Sequence, residues 1–302
     1  MDGIINILKP SGMTSHDVVS FVRRCMQMKK VGHTGTLDPQ AVGVLPVCIG
    51  KATKAAAFLT DKDKVYRAEL KWGITTDTQD SYGVITSEKK VNISEEIIKK
   101  VILSFQGRIE QIPPMYSAVK IKGQKLYELA RQGIEIKREP RKVLIYKINI
   151  RDIDFEEHTV LMDVKCGKGT YIRTLCHDIG KKLGCGAHMS FLLRTQSGVF
   201  TLDQAVTVEK LEQYCKEARV GQLLIPVDKV FSHLPFVIVN REGERKVIHG
   251  NPVEVQFLKE KMHLIKDETY RVYNEQGIFL CLSRAIKKGN NEFYLKMEKS
   301  FY

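Results

Sequence analysis

The chain has 302 residues, 43% hydrophobic and 27% charged, an ordinary globular balance with length enough for one large core and a small second domain. Lys and Arg number 48 against 35 Asp and Glu, and the formal charge of +13 favours a polyanionic partner. Seven scattered cysteines without a C-x-x-C pair exclude a disulfide scaffold and a tetrahedral zinc site, Cys185 and His188 having no second pair to complete one. No apolar run reaches membrane-spanning length, and MDGIINILKPSG has neither a basic n-region nor a cleavage site, so a cytoplasmic protein is expected.

In chain order, Ile4 to Leu8 reads as a short strand that breaks at KPSG, and Ser15 as the cap of a helix with Val18, Phe21, Val22 and Cys25 on its apolar face. Residues 32–39, GHTGTLDP, admit three readings. Asp directly before Pro is a ready helix start, with Asp38 as N-cap and Pro39 at the first helical position. A phosphate-cradling loop fails, because the stretch lacks the Lys-Ser/Thr ending of a P-loop and the dinucleotide spacing. The third reading makes Asp38 a catalytic carboxylate on a loop held rigid by its glycines.

Residues 65–74 alternate strictly, which predicts a strand with Tyr66, Ala68, Leu70, Trp72 and Ile74 on one face. Ser94 opens a helix that buries Ile97, Ile98, Val101, Ile102 and Phe105 and is closed by Gly107. From Lys120 to Lys142, eight Lys/Arg stand against three Asp/Glu, interleaved with Tyr127, which suits either a phosphate-tracking surface or a solvated charged helix. KVLIYKINI and the alternating Val160, Met162, Val164 and Cys166 suggest a hairpin and hence an α+β fold.

In GKGTYIRTLCHDIGKKLG, Thr170 is expected to cap a helix whose buried stripe is Ile172, Leu175, Cys176, Ile179 and Leu183. Tyr171 and Arg173 fall off that stripe. An arginine in the first turn sits at the wrong end of the helix dipole, which suggests a carboxylate partner nearby. From residue 235 the pattern turns β-rich: VIV, a helix EGERKVIH ended by Gly250, the hairpin YRVY-NEQG-IFLCL, and FYLKM. This part carries 12 Lys/Arg and 9 Asp/Glu, so most of the excess charge lies in the larger part.

The segments ILKPSGMTSHDVV, VGHTGTLDPQAVGVLPVCIGKATK, TTDTQDSYG, PPMYSAVKIKGQKLYELARQG, GKGTYIRTLCHDIGKKLGCGAH and LLRTQSG together resemble, in order, the TruB-type pseudouridine synthases. The C-terminal segment is similar to a PUA RNA-binding domain. The resemblance implies a mixed, largely antiparallel catalytic domain over 1–234 with a basic RNA-binding insertion at about 113–142, and a β-rich PUA-like domain over 235–302.

It further implies isomerisation of uridine 55 in the T arm of tRNA, with no cofactor, no metal and no obligate protein partner, in a monomer. Asp38 takes the catalytic role, Tyr66 stacks on the base, and Tyr171 and Arg173 match the family's tyrosine and the arginine that pairs with the aspartate. Leu192 matches a hydrophobic wall, and His33 a residue that fills the space left by flipped nucleotides. Lys9, Lys122, Lys125 and Arg131 are the expected RNA contacts, although Lys9, Pro10 and Asp80 equally suit structural roles. Gln196 and Gln40 depart from the residues frequent in the family. Two rival readings stay open: a tRNA-binding folding factor with incidental modification, and a guide-dependent rRNA pseudouridine synthase.

Overall fold

Strict alternation makes Lys64–Trp72 a strand with Ala68, Leu70 and Trp72 buried on one face, and it lies at the centre of a nine-stranded sheet. The computed structural model describes every residue except 91, 118, 122, 261 and 289–291. It orders the sheet Gly3–Lys9, Val42–Ile49, Ala187–Ser197, Lys64–Trp72, Thr159–Cys166, Arg141–Asp154, Gly107–Gln111. Val31–His33 pairs with Val42–Ile49, and Phe200–Thr201 with Ala187–Ser197. Among the described residues, only the pairing of Ala187–Ser197 with Val42–Ile49 is parallel within this sheet. Gly43 is required there, because a Cβ on it would lie 2.3 Å from the Arg194 carbonyl oxygen. The expected hairpin forms from Arg141–Asp154 and Thr159–Cys166.

Helix Ile172–Leu183 packs its stripe of Ile172, Leu175, Cys176 and Ile179 into the core beneath the central strands. Burying each large aliphatic side chain contributes about 1.5–3 kcal/mol, which fixes the helix in place even though Arg173 is carried into the interior with it. Arg173 is therefore buried, where its position off the stripe suggests exposure. The N-cap is Tyr171; the Thr170 hydroxyl instead donates to Gly167 O at 3.0 Å.

Two further helices differ in detail from the sequence reading. Ser15–Met26 is capped by Thr14 in a reciprocal capping box with Asp17, so Ser15 is the first helical residue and its hydroxyl is free for other use. Glu95–Leu103 buries Ile98 and Ile102 but leaves Ile97 exposed, and Gly107 opens the next strand instead of closing this helix.

Residues 236–300 build a second sheet, ordered Phe236–Ile238, Thr269–Tyr273, Phe279–Lys288, Glu292–Ser300, Val253–Glu254, with helix Arg241–Ile248 beside it. The strand at VIV, the helix, the hairpin and the strand at FYLKM follow the sequence reading, and the short edge strand Val253–Glu254 is added to them. Leu282 and Phe301 share a core with Ile4, Val44 and Phe231, which ties the small sheet to the large one. No helix among the described residues is long and apolar enough to cross a membrane.

Candidate active site

Asp38 does not start a helix. Its carbonyl accepts from Ala41 N at 3.1 Å, so residues 38–41 form a reverse turn with Pro39 in second place, and the strand Val42–Ile49 follows. The turn is pinned on both sides. Upstream, the Ser15 hydroxyl accepts from Leu37 N at 2.8 Å and donates to Leu37 O at 3.1 Å. Downstream, Lys9 Nζ donates to Pro39 O at 2.8 Å and Gly12 N reaches the same oxygen at 3.0 Å. Arg194 completes the frame by donating to Gly35 O at 3.1 Å and Val44 O at 2.7 Å.

Lys9 also donates to Pro10 O at 2.7 Å and Met13 O at 2.6 Å, so all three ammonium protons are used, and the residue is fully buried. Burial pulls its pKa down to about 8, with the charge of Asp38 acting the other way. No surface remains for a phosphate, which corrects the RNA-contact expectation: Lys9 positions the Asp38 turn.

Arg173 grips the carboxylate from below. Nε lies 2.9 Å from Asp38 Oδ2 as an ion pair and Nη2 donates to Oδ1 at 3.3 Å, a two-point contact. Nη2 also donates to Tyr116 O at 2.8 Å, and Nη1 to Thr78 O at 3.0 Å and Asp80 Oδ2 at 3.4 Å. The two terminal nitrogens thus make four hydrogen bonds, and Nε adds the ion pair with Asp38. The Arg173 side chain is 5% exposed and that of Asp38 40%, so the fork is sealed inside while its carboxylate faces outward. Asp80 is held in turn, its Oδ1 accepting from Thr78 Oγ1 at 2.7 Å and Tyr82 N at 3.1 Å.

Around this pair the structure gathers an apolar wall. Leu192 is buried in the same core as Leu37, Ala41 and Ile172, and Tyr66 packs against that core half-buried. Burial pushes the Tyr66 hydroxyl above the usual phenol range, with Arg194 opposing. Tyr171 is half-buried, and the Gln111 amide grips its backbone at both ends, accepting from Tyr171 N and donating to Tyr171 O at 3.1 Å each. His33 ends the strand Val31–His33 just before the Asp38 loop; its Nδ1 accepts from Gly35 N at 3.2 Å, and burial, helped by Arg194, pushes its pKa below the usual imidazole range.

Arg131 is exposed at the end of helix Leu126–Arg131, 5.5 Å from the Tyr127 ring; Lys125 belongs to the short strand Gln124–Lys125, and Lys122 lies outside the described residues. Sequence reading misses Ser15, Gln111 and Arg194. For Ser15 a signal existed, since T-x-x-D at 14–17 is a capping box that leaves Ser15 spare.

An outward carboxylate, aimed by a buried arginine and set beside an apolar and aromatic wall, is an arrangement able to bring one carboxylate to a planar substrate. Comparisons with known proteins specify the class. The N-terminal domain model of the TruB family pseudouridylate synthases matches residues 23–172, and the tRNA pseudouridylate synthase B C-terminal domain model matches 173–232. A tRNA pseudouridine synthase B of Alkaliphilus oremlandii is 51% identical over 297 residues, 98% of this chain and 97% of that protein. One of Clostridium kluyveri is 46% identical over the full length of both. Among solved structures, a chain of a Cbf5-Nop10-Gar1 complex is 30% identical with a TM-score of 0.75, covering 99% of this chain and 85% of that one. The chain belongs to the TruB family of pseudouridylate synthases.

Proposed function

We propose that this protein converts uridine to pseudouridine at position 55 in the T loop of tRNA. The reaction breaks the bond from uracil N1 to ribose C1′, rotates the base and joins C5 to C1′; the C5 proton is lost and N1 gains one, with no net redox change. Asp38 is the carboxylate that acts at this centre, as carboxylates act at other glycosidic carbons. Tyr66 stacks on the base after it is flipped from the loop, Tyr171 and Leu192 bound its pocket, and His33 fills space that flipped nucleotides leave. Arg131, Lys122 and Lys125 meet phosphates. Residues 1–234 are the catalytic domain and 235–302 a PUA-like RNA-binding domain, in a cytoplasmic monomer that needs no protein partner.

The observation that carries this reading is the two-point grip of Arg173 on Asp38, on a chain about half identical to proteins named for this reaction. The higher identity to those proteins than to the Cbf5 chain favours tRNA over a guided rRNA substrate. The test is incubation of purified protein with an unmodified tRNA transcript, without guide RNA or other protein, followed by base-resolved mapping. Pseudouridine at position 55 alone is expected. Modification only when a guide is added, or none at all, would contradict the proposal.

A further inference from the structure

The loop that feeds Arg173 contains an unusual residue. Gln79 sits between Thr78, whose carbonyl accepts from Arg173, and Asp80, whose carboxylate does the same. Its φ is +65°, in the left-handed region that residues other than glycine seldom adopt. Three hydrogen bonds hold it there. Gln79 N donates to Thr76 O at 3.3 Å, Gln79 O accepts from Met189 N at 3.0 Å, and the side-chain Oε1 accepts from Thr174 Oγ1 at 2.9 Å.

The third bond carries the inference. Thr174 is buried and directly follows Arg173 on the helix Ile172–Leu183. One turn of this helix therefore reaches the same loop twice, through the guanidinium of Arg173 and through the Thr174 hydroxyl. The guanidinium holds the loop at Thr78 O, 3.0 Å, and more loosely at Asp80 Oδ2, 3.4 Å; the Thr174–Gln79 bond adds a third point between them. We propose that Thr174 and Gln79 are positioning residues for the isomerisation: their hydrogen bond sets the loop 78–80 against the helix, so that Arg173 presents its fork to Asp38 at the reactive angle. A backbone conformation unfavourable for glutamine, retained next to the reacting carboxylate and secured by its own side chain, is the pattern expected of a site built for geometry. Neither residue touches substrate.

The inference rests on the proposed tRNA isomerisation, and single-turnover kinetics on a tRNA transcript test it. Thr174→Val keeps the shape and removes the donor; Gln79→Gly removes the acceptor and suits the backbone better. Both are expected to slow the chemical step by about tenfold to a hundredfold, with the Kd for tRNA within about twofold of wild type and Gln79→Gly no less thermostable than wild type. Thr174→Ser, which restores the hydroxyl, should recover most of the rate. A folded Thr174→Val at the wild-type rate, a loss in affinity in place of rate, or a serine variant as slow as valine would overturn the inference while leaving the function intact. If Thr174→Val does not fold, Gln79→Gly decides by the same criteria. An inactive wild type would overturn the functional reading and this inference together.

Discussion

Arg173 was legible as an anomaly before it was legible as a contact. A cation in the first turn of a helix opposes the dipole, and that alone demands a nearby anion. Its burial was not legible, because the acceptors that make burial affordable come from residues 38, 78, 80 and 116, which no local pattern connects. Four hydrogen bonds and an ion pair, all converging on one planar head group, leave little tolerance for a different one. Lysine supplies three donors from a single point, so Arg173→Lys leaves at least one of these acceptors without its partner, at about 1–3 kcal/mol. The variant should fold with a melting temperature lowered by several degrees and turn over at least about a hundredfold more slowly. Thermal denaturation beside single-turnover assay separates the two losses. A lysine variant with the wild-type rate would show that positive charge, without the fork, suffices.

At the level of elements, the turn 38–41 shows why local signals mislead. Asp before Pro starts helices, and it equally opens reverse turns, since Pro presets the same φ in both. What decided was tertiary: Lys9 and Ser15, from the first strand and first helix, hold Pro39 and Leu37 where a helix could not begin. Lys9 makes a pH prediction. Its folded pKa, about 8, lies below the ordinary 10.5, so burial of the charge is a cost fully present below pH 8. Between those values the unfolded chain holds a proton that the folded chain has released, and stability rises with pH across the window. The rise should amount to about 3 kcal/mol. Lys9→Met should lack it, and should also slow catalysis by loosening the turn. Denaturant titrations of both proteins from pH 7 to 10.5 check this; parallel pH profiles would contradict it.

Over the whole molecule, the strands with clean alternation were readable and the sheet order was not. Ala187–Ser197, which carries Leu192 and Arg194 beside the central strand, was hidden because register shifts between Met189 and Phe191 and between Arg194 and Gln196 reset its period. Its parallel neighbour lies about 150 positions away in the chain. Charge is distributed where geometry is concentrated: the basic stretch 120–142 exposes Lys120, Arg131 and Lys137, well apart in sequence from the Asp38 turn. Neutralising these three should lower the slope of log affinity against log salt by about 2 to 3. An unchanged slope would make this face an ordinary solvated one. Binding is thus spread over many residues, while the chemistry rests on one carboxylate. The most direct measurement is Asp38→Asn, assayed for single-turnover formation of pseudouridine in tRNA beside a binding titration. No detectable turnover is expected, with tRNA affinity within about twofold of wild type. Substantial turnover by the asparagine variant would contradict it.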